Sequence, residues 1–177
     1  GSHVAEILAL GDDGTRLMPL VSGSCSSNTA QSLLKKHGAS DLFSGSRAPE
    51  AALGGLWLYF GCREECHQIV QDLESSDASF WHGIVHRQEP DAGNSSYWFR
   101  RTGDHPVFPC LRQVAHEILK QQPPSGFLLE ARWNPFLFIE FCEQARRAPG
   151  SASERCALEI QRAEWQLLFD HCARKTD

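Results

Sequence analysis

The sequence predicts a mostly all-α fold: a multi-helix bundle of about seven or eight helices with a small N-terminal β-hairpin. Three observations carry that prediction. From Asn28 onward apolar residues recur at helical spacing, with capping residues and prolines between the segments. The intervening linkers are short, which favours antiparallel packing of consecutive helices. The longest amphipathic stretch closes the chain, and its stripe of Leu158, Trp165, Leu168, Phe169 and Cys172 needs a surface to cover it.

The elements follow in chain order. Gly1-Ser2-His3 reads as a tag remnant and is set aside, His3 included as a ligand; residues 4–177 read as one helical domain. Glu6–Leu10, the turn Gly11-Asp12-Asp13-Gly14 and Thr15–Val21 read as strand, turn, strand, with Pro19 placing the second strand at an edge. Ser27 or Asn28 caps a first helix that runs to His37, with Gly38 as a left-handed stop. Pro49 suits the first turn of a helix to about Phe60. Gly61 interrupts, and a helix resumes over Arg63–Leu73. Ser75 or Ser76 caps the next, which carries Phe80, Trp81, Ile84 and Val85 and ends before Pro90. Asn94 caps a short helix through Tyr97, Trp98, Phe99 and Arg101 that closes at Gly103, and another spans about Phe108–Gln121. Pro123-Pro124-Ser125-Gly126 is the clearest linker. Asn134-Pro135 starts a helix to about Arg147, and Ser153-Glu154 opens the last one, expected to pack along the helices that carry Trp57 and Trp81.

Composition narrows the function. A length of 177 residues suffices for one buried core, and 41 % hydrophobic with 22 % charged residues is globular. A net charge of −5 argues against a nucleic-acid partner. No apolar run approaches the roughly 20 residues of a membrane helix. Val4-Ala5-Glu6-Ile7-Leu8 has no signal-peptide character, so the expected location is cytoplasmic. The seven cysteines are expected to be reduced and mostly buried. Cys62 and Cys66 share a helix face, but a bridge between them is not favoured. Glu140 and Glu164 lie on amphipathic helices and are expected to be solvated.

Gly83, Pro90-Asp91, Ser95, Phe99 and Pro106 form a spacing that resembles one tetratricopeptide or Sel1-type helical hairpin. In those families a small residue lets two helices approach, and a second small residue packs against it. Gly55 repeats the register of Gly83 at an offset of 28 residues. The resemblance covers about a quarter of the chain and implies a helical interaction module. The stretch Trp81–Asp91, followed by Tyr97-Trp98-Phe99-Arg100-Arg101, is also similar to an uncharacterised bacterial protein family, to which no activity is attached.

One region carries the density of chemistry expected of a site. His82 and His86 are four apart on a predicted helix, so their side chains leave one face about 6 Å apart. Two imidazoles so placed can share a metal ion. Glu89 follows at the helix end and can close a two-histidine, one-carboxylate set. His67, on the preceding antiparallel helix, is the natural third imidazole. The zincin signature is absent, because Gly83 stands where its glutamate would be. Arg87, Asp91, Tyr97, Trp98, Arg101 and His105 complete a candidate ligand-binding group, with aromatic walls and arginines for an anionic ligand. A polar packing network, such as Arg87 or Arg100 with Glu89 or Asp91, is the alternative for the same residues.

The leading functional reading is therefore a helical metal-binding protein, holding zinc or iron, with a metalloenzyme as its catalytic form. Whether the chain is an enzyme at all stays open on the sequence. The second reading is a non-catalytic, tetratricopeptide-like interaction module with a groove lined by Tyr97, Trp98 and Arg101. The partner is then a small molecule or a protein, with neither nucleic acid nor membrane.

Overall fold

A computed structural model describes residues 2–122 and 124–176. Gly1 of the tag reading and Pro123 of the linker reading lie outside them, as does Asp177. Ten α-helices and no β-strand occur among the described residues. They are α1 (Ser2–Ala9), α2 (Asn28–Lys36), α3 (Ala39–Leu42), α4 (Pro49–Tyr59), α5 (Arg63–Val70), α6 (Ser76–Gln88), α7 (Ala92–Thr102), α8 (Phe108–Gln121), α9 (Pro135–Ala145) and α10 (Ala152–Ala173). Among the described residues no helix is long and apolar enough to cross a membrane. The all-α expectation holds.

The expected N-terminal hairpin does not form. Its first strand is α1, and the reason is in the spacing: Val4, Ile7 and Leu8 fall on one helical face, with Ile7 buried. Asp12, Asp13 and Gly14 turn the chain with positive φ, a conformation that aspartate tolerates better than most residues. The expected second strand is an extended segment whose carbonyls must find other donors. Side chains of α10 supply them: Gln161 Nε2 donates to Met18 O at 2.9 Å and to Pro19 O at 3.2 Å, and Gln166 Nε2 to Gly14 O at 2.8 Å. The helix count rises to ten because α1 replaces a strand and the one-turn α3 follows Gly38. Gly38 itself has φ −81° and precedes α3 in extended conformation, so it is no left-handed stop.

The punctuation elsewhere behaves as read. Ser27 accepts from Ala30 N, Ser75 from Ala78 N, and Asn134 from Phe136 N and Leu137 N. Pro49 and Pro135 open α4 and α9, and Gly103 closes α7 with φ +65°. Asp91, not Asn94, caps α7.

Helix α6 is the centre of the molecule, with Ala78–Gln88 continuously buried. Two glycine contacts set its distance to its neighbours. A Cβ on Gly55 of α4 would overlap the Trp81 ring, and one on Gly83 would lie 2.7 Å from Phe99 of α7. Ser95 Oγ, on α7, donates to Gly83 O at 2.8 Å. Helix α10 packs on α4, α8 and α9, with Trp165 Nε1 donating to Gly55 O at 2.7 Å. The predicted contact with the Trp57 helix is present. The contact with the Trp81 helix is made mainly by side chains: Arg87 of α6 forms a bidentate pair with Glu164 of α10, Nη1 to Oε1 at 3.1 Å. Both groups are completely buried. Glu164 is therefore not solvated as expected; Glu140 is.

The cysteine expectation is also corrected. Cys25 and Cys62 form a disulfide, while Cys66, Cys142, Cys156 and Cys172 are free and buried and Cys110 is exposed.

Candidate metal centre

Helix α5 carries His67 and the antiparallel α6 carries His82 and His86. Contact between these helices brings the three imidazoles together, with ligand nitrogens within 4.8 Å of one another. The ring centroids of His67 lie 4.6 Å from His82 and 5.5 Å from His86, nearly perpendicular to both. His82 and His86 stack at 4.9 Å, one helical turn apart. A tetrahedral ion with bonds of about 2.0–2.1 Å needs nitrogens roughly 3.4 Å apart, which small side-chain rotations reach from here.

His82 is the informative member. It is buried, and neither Nδ1 nor Nε2 has a protein partner. A buried polar atom left unpaired costs about 1–3 kcal/mol, so such a ring asks for a ligand. Burial first, then the adjacent His67 and His86, push its pKa down to about 3. His86 is also lowered: burial outweighs the hydrogen bond and charge of Glu89, which act upward. Both rings are thus neutral near pH 7, the form that ligates metal.

Glu89 lies beside this set. Its Oε2 is 2.9 Å from His86 Nδ1, and its Oε1 is 2.6 Å from Arg63 Nη1. With Nδ1–H donated to the carboxylate, His86 keeps the Nε2 lone pair free for a ligand. That is the carboxylate–histidine relay that orients imidazole ligands in metal sites. The sequence expected Glu89 to bind the ion directly; here its oxygens are engaged behind His86.

The candidate ligand group separates into different places. Trp98 stacks on His82 at 3.7 Å and covers it. Arg101 lies over the Trp98 and Tyr97 rings, and Tyr97 is 46 % exposed. These three form one exposed ledge next to the imidazoles. Arg87 points to the other side of α6, against Glu164 and the Phe138 ring, so it grips no external anion. Asp91 is spent on the start of α7.

His105 belongs to a second cluster with Asp77 and His171. Its Nδ1 accepts from Val107 N at 3.2 Å, so its proton sits on Nε2 and is donated to Asp77 Oδ1 at 2.9 Å. His171 Nε2 is 3.3 Å from the same oxygen. The count of ligand atoms matches the first cluster, but the tautomer is opposite: Nε2 of His105 carries a proton where a metal would need a lone pair. This cluster is a hydrogen-bonded junction of α6, α10 and the 103–107 turn. Arg63, Asp77 and His171 were not singled out in the sequence. They lie far from their partners along the chain, and no local spacing marks them.

Comparison with protein-family models, with curated proteins and with solved structures finds no match.

Proposed function

We propose that this protein binds a divalent transition-metal ion through His67, His82 and His86. The observation that carries the reading is His82: a buried, neutral imidazole with both nitrogens unpartnered, facing two further imidazoles. Three imidazole ligands and no thiolate suit zinc or iron(II). Glu89, fixed by Arg63, orients His86, and Trp98 shields His82 from water. Three protein ligands leave a further coordination position, and a metal there supplies Lewis acidity or an activated water. The ledge of Tyr97, Trp98 and Arg101 adjoins His82 through the Trp98 ring.

The test is elemental analysis of protein prepared without an oligohistidine tag, beside melting curves with added zinc, iron, manganese and nickel. A site at one hundred times its Kd in free metal should raise stability by about 2.7 kcal/mol. The His82→Ala/His86→Ala double variant should lose both the bound metal and the shift. His67→Ala, at a half-exposed position, should lose them without a core cavity. A wild-type chain with neither metal nor stabilisation would sink the reading.

An interaction module is the second reading. It is favoured by the exposed Tyr97 ring beside Arg101 and by the Gly83–Ser95 contact, the small-residue packing that the hairpin resemblance implies. It leaves the unpartnered His82 nitrogens without a role.

A further inference from the structure

The metal reading leaves the Cys25–Cys62 disulfide without a purpose, and its position is specific. Residues 22–26 form a strap that touches both helices of the metal centre. At one end Ser22 N donates to Gln88 O at 2.9 Å, and Ser22 Oγ to Gln88 Oε1 at 2.8 Å. Gln88 ends α6, two residues beyond His86. At the other end Ser26 N and Oγ donate to Phe60 O at 2.7 and 3.0 Å, in the turn that leads into α5. Between these anchors Cys25 is bonded to Cys62, the residue immediately before α5. Next to it stands Arg63, which holds Glu89 behind His86. One turn further along α5 comes His67. Gln31 of α2 reinforces the junction, donating to Glu65 of α5 at 3.1 Å.

We infer that the Cys25–Cys62 bridge is a thiol–disulfide switch on metal affinity, an inference that rests on the three-histidine reading above. Closed, it locks α5 against the end of α6 and holds His67 and Arg63 in register with His82 and His86. Open, the strap keeps only hydrogen bonds, and α5 loses its covalent tie. The exchange chemistry is accessible at one sulfur: Cys25 is half-exposed and Cys62 is buried. The thiolate of an external dithiol attacks Cys25 Sγ, forming a mixed disulfide and expelling Cys62 as thiolate. The second thiol of that reagent then displaces Cys25. The protein gains two electrons and two protons, and the dithiol leaves as its own disulfide. Cys62 is released at the start of α5, where no side chain caps the first amides.

The experiment uses the full chain and zinc as the probe, with affinity measured by competition against a chromogenic chelator. Oxidised protein is compared with protein reduced by a phosphine, which does not compete as a thiol. The expected result is a loss of about tenfold or more on reduction, the range that displaced outer-shell partners produce. Cys25→Ser/Cys62→Ser should bind weakly in both conditions, and Cys110→Ser should respond like wild type. Where the double variant fails to fold, reduced wild type and Cys25→Ser carry the comparison. Hydrogen exchange gives a reading independent of metal: α5 amides should lose protection on reduction while α9 amides do not. Equal zinc affinity in both redox states overturns the switch and leaves the metal site standing. Absence of zinc binding in both states overturns both. Free thiols at Cys25 and Cys62 after air oxidation, detected by alkylation and mass spectrometry, overturn the switch alone.

Discussion

At the residue scale, the functional content lies in which atoms are already bonded. Glu89 uses both oxygens, one on His86 and one on Arg63. Glu89→Gln keeps a carbonyl for the His86 N–H but loses the charge. Metal affinity should fall about 10- to 100-fold, the usual cost of an outer-shell partner, while stability without metal changes by under about 1 kcal/mol, as for an exposed pair. Isothermal titration and chemical denaturation separate the two effects. Gly83 makes the complementary case. Alanine would gain about 1 kcal/mol of helix propensity, but its Cβ would stand 2.7 Å from the buried Phe99 ring. Overpacking costs about 1–3 kcal/mol and decides the sign. Gly83→Ala should destabilise the protein, and a higher denaturation midpoint would show that α7 can yield.

At the element scale, α10 organises the bundle. It supplies Trp165 to Gly55, Gln161 to the N-terminal segment and Glu164 to Arg87. Leu158 is half-buried while Trp165, Leu168, Phe169 and Cys172 are buried, so the predicted stripe is real and slightly narrower than read. Fully buried side chains of this kind contribute roughly 1.5–3 kcal/mol each, against a domain stability of about 5–15 kcal/mol. Removing residues 153–177 should abolish cooperative unfolding. A truncated chain that still melts sharply, with equal helicity per residue, would contradict this. The Arg87–Glu164 pair gives a sharper test. Glu164→Leu alone leaves a buried guanidinium without its carboxylate and should cost about 3–5 kcal/mol. The double change Arg87→Met/Glu164→Leu should recover most of that loss. A double variant as unstable as the single one would mean that the pair does more than neutralise itself.

At the scale of the whole molecule, acid should open the junction where α6, α10 and the 103–107 turn meet. Burial acts to raise the Asp77 pKa, but the hydrogen bond and charge of His105, with His171 and Arg47, outweigh it, and the carboxyl lies below its ordinary value. Its contribution is therefore complete above the unfolded carboxylate value of about 3.9 and is lost as pH falls through the lower folded value. His171 is lowered chiefly by burial, against the upward pull of Asp77. Between its folded value and the unfolded value of about 6.5 the unfolded chain holds more protons, so stability declines as pH drops below about 6.5. Both groups act in one direction, with a slope of at most about 1.4 kcal/mol per pH unit for each proton. His171→Gln should reduce the decline between pH 6.5 and 5, to which the buried His82 and His86 also contribute through their lowered pKa values, and Asp77→Asn should reduce the decline below 4, in urea denaturation followed across pH. A wild-type profile flat from pH 7 to 4 would be incompatible with this junction.

Local chemistry was enough to place all of the helices but α1 and α3: serine and asparagine caps, prolines at first turns and the 3.6-residue period each act within a few residues. The pairing of His82 with His86 was legible for the same reason, since four residues make one turn. His67 joined them through the expectation that neighbouring helices run antiparallel. The N-terminal segment was misread because seven residues fit either period, and the choice lay with α10, whose glutamines take the carbonyls that a second strand would have paired. Other features were invisible in the chain. Glu164 reads as a solvated charge on an amphipathic helix until Arg87, 77 residues away, meets it in the core. Cys25 and Cys62 are 37 residues apart, and no spacing distinguishes them from the five free thiols. His82, His86 and His105 look alike in sequence. Only tertiary packing gave the first two neutral rings with nitrogens to offer and gave His105 a backbone N–H that fixes its proton on the wrong atom for a metal. Periodicity and capping are properties of neighbouring residues, whereas protonation, ion pairing and sulfur bridging depend on groups that only the folded chain brings within a few ångströms.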